Sequence, residues 1–305
     1  MNGLNQACMS NELESFLADE RGKFDRELDR LVPPETEYPE PLYRAMRHSL
    51  FAGGKRIRPI LARAAAEAFD FTPEIIYPAG AAIEMIHTYS LIHDDLPALD
   101  NDDMRRGKPT CHKAYGEAMA ILAGDTLNTL AFGILASLPL PPERKHLALQ
   151  VIRELSDYSG IKGMVRGQVA DILSEGKQVT PETLEFIHRN KTAALIVCSI
   201  RTGCILSEAD DKSFREMTDL GGYIGLAFQI KDDILDITSS TGELGKTAGK
   251  DSATGKATYP SIFGMEKAEA ELKRLSGEAI RIAGRFAKRA PWLYYIVEYL
   301  LQRRN

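Results

Sequence analysis

Apolar residues recur along most of the chain at the three- and four-residue spacing of helices buried on one side. Leu13, Phe16, Leu17, Phe24, Leu28 and Leu31 follow this spacing until Pro33-Pro34 stops the segment. Alanine-rich stretches come next, at 60–69 and 78–95; alanine loses no side-chain entropy in a helix and lets neighbouring helices approach closely. The pattern predicts further helices over 116–137, 143–173, 181–206, 210–237, 259–289 and 291–303. Pro109, the break from Pro139 to Pro142, Thr180-Pro181 and Pro291 read as junctions between helices. Sustained alternation bounded by turn residues does not occur, so no sheet is expected. With no low-complexity linker to divide it, the chain reads as one all-α domain over 1–305 built around a helical bundle. Residues 1–10 are expected to be loosely held, and the Gly/Ser/Thr-rich stretch 239–256 to form a mobile loop.

Composition narrows the chemistry. A chain of 305 residues with 44% hydrophobic residues is long enough for a large core. Its net charge of −5 argues against nucleic acid or an anionic membrane as the main partner, since both select basic faces. The four cysteines, Cys8, Cys111, Cys198 and Cys204, form no CxxC and no zinc spacing, which suits reduced thiols in the cytoplasm. The N-terminus shows no basic start followed by an apolar stretch, and apolar runs fall short of the ~20 residues of a membrane helix. A soluble, cytoplasmic protein is the expectation.

Two segments share one pattern: SLIHDDLPALD (90–100) and FQIKDDILD (228–236). Each sets adjacent aspartates at the end of an apolar helical run, with a third just beyond. Asp232 and Asp236 are four apart and leave one face of a helix. Asp94 and Asp100 are six apart, but Pro97 cannot continue a helix, so the chain is expected to turn and bring Asp100 back towards Asp94. Paired acids without cysteines suit a hard cation such as Mg²⁺, which prefers oxygen ligands and shares them with substrate phosphates. A single acid run is commonly a solvated surface, and Asn101, Asp102 and Asp103 fit that description. The repetition points to a site.

A metal-held diphosphate also needs fixed cations. GGKRIRP (53–59) offers Lys55, Arg56 and Arg58 beside two glycines; Arg105-Arg106 follow the first acid motif, and Lys191-Thr192 lie in a predicted helix. Lys246, Lys250 and Lys256 fall in the loop after the second motif. Gly245-Lys246-Thr247 resembles the end of a phosphate-binding loop, but Ser240 stands where that pattern needs glycine, and no strand precedes it. His87 lies seven residues before Asp94, two turns along one helix face.

Taken together, GGKRIRP, SLIHDDLPALDNDDMRRGKPTCH, GDTL at 124–127, KT at 191–192 and FQIKDDILD followed by LGKTAGKD resemble the trans-isoprenyl diphosphate synthases, most closely the bacterial farnesyl type. The resemblance implies an all-α isoprenoid synthase fold with a deep central cavity, and a homodimer. It implies Asp94, Asp100 and Asp232 as leading Mg²⁺ ligands (Mn²⁺ a substitute), with Asp95 and Asp236 supporting. Arg105, Lys191 and Lys246 would hold the allylic diphosphate, with Thr192 and Gln229 nearby. Lys55, Arg58, His87 and Arg106 would hold the diphosphate of isopentenyl diphosphate, and Lys256 would belong to the closing loop. An aromatic five residues before the first motif, Tyr89, resembles the fifteen-carbon pattern, with Ser90 beside it. The implied reaction is ionisation, condensation and proton loss giving farnesyl diphosphate.

The same residues admit other readings. A longer, geranylgeranyl product keeps every motif. A terpene cyclase would carry Asn, Ser and Glu in its second metal motif, where this chain has Asp232, Asp233 and Asp236. A helical metal-dependent phosphohydrolase would use His48, His93-Asp94 and a distant aspartate, leaving the second acid motif and the paired arginines unused. A non-catalytic synthase subunit would have lost some of the acids.

Overall fold

The protein was analysed as a computed structural model, which describes residues 3–69, 71–238 and 257–302. It divides into two compact units, Met1–Arg63 with Thr72–Ile152, and Ala64–Phe71 with Arg153–Asn305.

The first unit carries α1 (Gly3–Leu31), α2 (Glu40–Leu50), α4 (Pro73–Asp94), α5 (Cys111–Tyr115) and α6 (Glu117–Ala136); α3 (Ile57–Ala66) begins in it. Buried Phe24 and Leu28 of α1, Met46 and Leu50 of α2, Ile83 and Ile86 of α4, and Leu127 of α6 make its core. α4 packs chiefly on α6. Gly124 permits that approach, because a Cβ there would lie 2.2 Å from Nε2 of His93 on α4. The second unit is built on α10 (Ala194–Leu206), buried along nearly its whole length, and α11 (Asp211–Thr238). This unit also holds the second half of α7 (Lys145–Ser159), from Arg153 on, with α8 (Met164–Ser174), α9 (Pro181–Ile187), α12 (Tyr259–Phe263), α13 (Met265–Phe286) and α14 (Pro291–Gln302). α11 packs on α13 and α10. Cys111, Cys198 and Cys204 are buried free thiols, and burial pushes the last two up to about 12.

Several sequence expectations need correction. The stretch 143–173 is two helices, because the chain turns from Gly160 to Gly163 between α7 and α8. Gly264, at φ 85°, likewise separates α12 from α13 within 259–289. Residues 181–206 stay helical but pass through a π-helical segment, His188–Ala193. A sheet does exist: β1 (Met104–Arg105) pairs antiparallel with β2 (Lys108–Pro109), so Pro109 ends a strand and not a helix. Its turn residues Arg106 and Gly107 both take positive φ, 52° and 74°, as a tight hairpin requires. α6 is also apolar and long enough, by length and composition, to cross a membrane. Asp125 interrupts its apolar run, and a helix buried in a protein core passes the same test of length and composition.

Candidate active site

α4 ends at Asp94, and the five residues that follow reverse the chain. The N–H of Leu96 donates to the carbonyl of His93, those of Leu99 and Asn101 to the carbonyl of Leu96, and that of Asp100 to the carbonyl of Asp94 at 2.8 Å. Asn101 takes φ 49° to close the reversal. Asp100 thus returns to Asp94, as the position of Pro97 led one to expect. Asp94 is half-buried and Asp100 exposed.

Asp95 behaves differently. It is buried, and Arg105 Nε stands 2.8 Å from both of its carboxylate oxygens. Burial pushes the Asp95 carboxyl up, against the opposing pull of Arg105. Asp102 lies 3.7 Å from the same guanidinium. The structure therefore pairs a residue expected on the metal with one expected on the diphosphate.

The hairpin also aims Arg106 back at the glycine pair. An Nη of Arg106 donates to the carbonyl of Gly53. Gly54, at φ 132°, leaves room for that guanidinium, since a Cβ would come within 2.6 Å of it. Arg56 is taken up by structure: it donates to Asp25 at 2.8 Å, to Glu84 at 2.9 Å and to the Leu50 carbonyl at 2.6 Å. Arg58 differs, because its buried Nε has no hydrogen-bond partner. Burial lowers the pKa of Arg58, with Arg106 adding to the effect. His87 is held well below its ordinary range by burial, and then by Arg58, Arg106, Arg105 and Arg56. Four arginines thus put a positive potential on His87, and Glu84, the acid whose charge acts on Arg58, already accepts from Arg56. Lys55 is exposed beside them. Such a place favours an anion.

Tyr89 is half-buried, with its ring edge-on to His93 at 5.7 Å between centroids. Burial and the charge of Asp94 push its hydroxyl pKa up. Ser90 turns back on its own helix, donating to the His87 carbonyl at 2.9 Å.

In the second unit, Asp232 and Asp236 are half-buried one turn apart on α11. Oδ2 of Asp236 is buried without a hydrogen-bond partner. Asp233 between them is buried and fully engaged: it accepts from Gln229 at 2.9 Å and from the Tyr259 backbone N–H at 2.7 Å. The π-helical segment supplies Lys191, whose Nζ meets buried Asp171 of α8 at 2.6 Å, and Thr192, which donates to Gln229 at 2.7 Å. One-turn π segments recur at functional sites because they re-aim side chains that a regular helix would turn away. Lys246, Lys250 and Lys256 lie outside the described residues.

Among the described residues, no three His, Cys, Asp or Glu side chains converge closely enough to hold an ion by themselves. The donors are nonetheless all carboxylates, and the orphaned oxygen of Asp236 is the kind of atom that a hard cation would satisfy. The residues fit Mg²⁺ held jointly with a substrate phosphate. Sequence reasoning assigned no role to Asp171, to His188 or to Asp233 of the second acid motif, and did not find the His93–Gly124 contact. The signals were the adjacent aspartates of FQIKDDILD, which contain Asp233, and the GDTL motif, which contains Gly124.

The sequence model of the family described as polyprenyl synthetase matches residues 39–290. A protein of Bacillus subtilis named farnesyl diphosphate synthase is 41% identical over 97% of this chain and 99% of its own. One of Catharanthus roseus, named chloroplastic geranylgeranyl pyrophosphate synthase, is 46% identical over 88% of this chain and 75% of its own. Among solved structures, a Helicobacter pylori geranyltransferase complexed with magnesium and isoprenyl diphosphate aligns with a TM-score of 0.81 at 35% identity, covering 94% of this chain and 95% of that one.

Proposed function

The chain belongs to the polyprenyl synthetase family, and from that premise we propose that it condenses isopentenyl diphosphate with dimethylallyl or geranyl diphosphate, giving farnesyl diphosphate and pyrophosphate. It is a transferase of the prenyltransferase class. The family match spans both compact units, which supports reading them as one synthase domain.

The observation that carries the reading is the cationic cluster of Arg58, Arg106 and His87, with a buried Arg58 Nε lacking a partner. That cluster, with Lys55, holds the diphosphate of isopentenyl diphosphate. His87, set among these arginines, serves it as a hydrogen-bond donor. Arg105, Lys191 and Lys246 hold the allylic diphosphate, with Thr192 and Gln229 beside them. Arg105 and Lys191 are kept in place before substrate arrives by Asp95 and Asp171. Asp94, Asp100 and Asp232, supported by Asp95 and Asp236, would hold Mg²⁺. Bound Mg²⁺ would offset the negative charge that grows on the departing diphosphate. Arg105 and the lysines act on the same charge as fixed donors needing no reorganisation during the reaction. No side-chain nucleophile is required; the released diphosphate takes the proton. The reading includes a homodimer working in the cytoplasm.

The test is pyrophosphate release with isopentenyl diphosphate alone and then with an allylic partner, each with Mg²⁺ or with chelator. Release only with both substrates and metal is expected; release from one substrate alone would make the protein a phosphohydrolase. A twenty-carbon product is the second reading, favoured by the likeness to the Catharanthus protein, and chromatography of the products decides it.

A further inference from the structure

His48 sits in the last turn of α2 and has no part in the diphosphate sites described above. Its Nε2 lies 2.8 Å from the carbonyl oxygen of Pro109, the last residue of β2. Its ring meets that of Tyr115 edge-on, at 5.3 Å between centroids. A carbonyl only accepts, so this ring nitrogen carries a proton and donates it.

The bond matters because little else holds the hairpin. Arg106, Gly107, Lys108 and Pro109 are all exposed, so burial fixes none of them. Pro109 and Thr110 line a cavity with Ser49, Thr88 and Leu91, which leaves β2 loosely packed on the helices behind it. Pro109 also has no N–H to give to the strand pair. Thr110 ties the base of the hairpin only to itself, its hydroxyl donating to the Asp102 carbonyl at 2.8 Å and its N–H to the Asp103 carbonyl at 3.0 Å. Three bonds join the tip to α2 and the segment after it: Arg106 to the Gly53 carbonyl, Lys108 to the Phe51 carbonyl at 3.4 Å, and His48 to Pro109. The first two come from long, exposed side chains of the hairpin itself. Of the three, only the His48 bond grips the hairpin main chain, and it does so from a half-buried ring on a helix. Arg105 has separate support in Asp95, 2.8 Å from its Nε.

We propose that His48 is a positioning residue for the isopentenyl diphosphate site, holding Pro109 so that Arg106 stands beside Gly53 and Arg58. Loosening the hairpin displaces Arg106 and leaves Arg105 on Asp95, so the two diphosphates feel the change unequally. The inference rests on the prenyl-transfer reading for the identity of the substrate.

The test compares wild type with His48→Leu, which keeps the bulk and loses the donor, and with His48→Gln, whose amide nitrogen can take the place of Nε2. It is read as kcat, as the KM for each substrate, and as the Kd of inorganic pyrophosphate without metal by calorimetry. His48→Leu is expected to raise the KM for isopentenyl diphosphate and the pyrophosphate Kd about fivefold. With kcat and the allylic KM within about twofold of wild type, His48→Gln should return both raised values to the wild-type range. Unchanged KM and Kd in His48→Leu, two KM values rising together, or no rescue by His48→Gln overturn the proposal. Should His48→Leu not fold, His48→Asn replaces it, because its shorter amide does not reach Pro109. A wild-type protein that binds pyrophosphate but transfers no prenyl group counts against the functional reading alone, and the Kd comparison still judges His48. A wild-type protein that binds no pyrophosphate overturns the proposal.

Discussion

The backbone N–H of Asp100 donates to the carbonyl oxygen of Asp94 at 2.8 Å, so two acids six residues apart share one end of α4. On an uninterrupted helix their side chains would leave different faces. The reversal at Pro97 brings them together and turns Asp95 the other way, onto Arg105. Each acid pair thus divides its labour: Asp94 and Asp232 stay half-exposed while Asp95 and Asp233 are buried and hydrogen-bonded.

Asp94→Ala and Asp232→Ala are each expected to lower turnover by roughly two orders of magnitude or more, because a lost metal ligand removes several kcal/mol of charge stabilisation. Neither side chain builds the core. Circular dichroism and melting should be near wild type, and steady-state assays at saturating Mg²⁺ give the outcome. Turnover within a few-fold of wild type in either variant would remove that residue from the site.

How far this site could be read from the chain depends on the scale of the feature. Helical periodicity located α6, α11 and α14 to within a few residues, because each buries a continuous stripe. For α1 it located the end, while the helix begins at Gly3, inside the stretch 1–10 that was expected to be loosely held. The hairpin at 104–109 was invisible, since two-residue strands are too short to alternate. The π segment was equally hidden: one residue more per turn barely disturbs an apolar pattern spaced three and four apart. Asp94 and Asp232 were legible as acids at helix ends. That Asp95 and Asp233 face inward was not, because neighbours on a helix point about 100° apart and only packing decides which points in.

His87 offers a test of the cationic cluster by pH. Its folded-state pKa is held well below the ordinary 6.5 by burial and by Arg58, Arg106, Arg105 and Arg56. A depressed pKa means that the stabilising contribution is present above 6.5 and is lost as pH falls from there through the folded value. NMR titration of the free protein should find the His87 imidazole titrating well below its ordinary 6.5. Adding inorganic pyrophosphate should raise its pKa by neutralising the arginines. A normal titration near 6.5 would show that the arginines do not converge there.

Gly167 of α8 lies against the π segment so closely that a Cβ would stand 2.1 Å from the backbone N of Lys191. Gly167→Ala must push the two elements apart, at a cost of about 1–3 kcal/mol for overpacking. The same displacement pulls Lys191 from Asp171, so turnover should fall as well as melting temperature. If stability drops while kcat and both KM values hold, Lys191 is not needed where the structure places it.

Product length is expected to turn on Tyr89. It stands five residues before Asp94 on α4, roughly 7 Å below the metal end at ~1.5 Å per residue. A hydrocarbon tail whose diphosphate is anchored at Asp94 and grows down this face meets a ring held edge-on by His93, itself lodged over Gly124. Ser90 is no obstacle, because its hydroxyl is folded back onto the His87 carbonyl. Tyr89→Ala should therefore shift the main product from fifteen to twenty carbons or more, measured by chromatography of products formed with excess isopentenyl diphosphate. An ordinary core aromatic in this position would give another result on truncation: a lower melting temperature with the product unchanged. That outcome would place the floor of the cavity elsewhere. A wild-type protein already making twenty-carbon chains would show that the Tyr89 ring does not stop the tail at all.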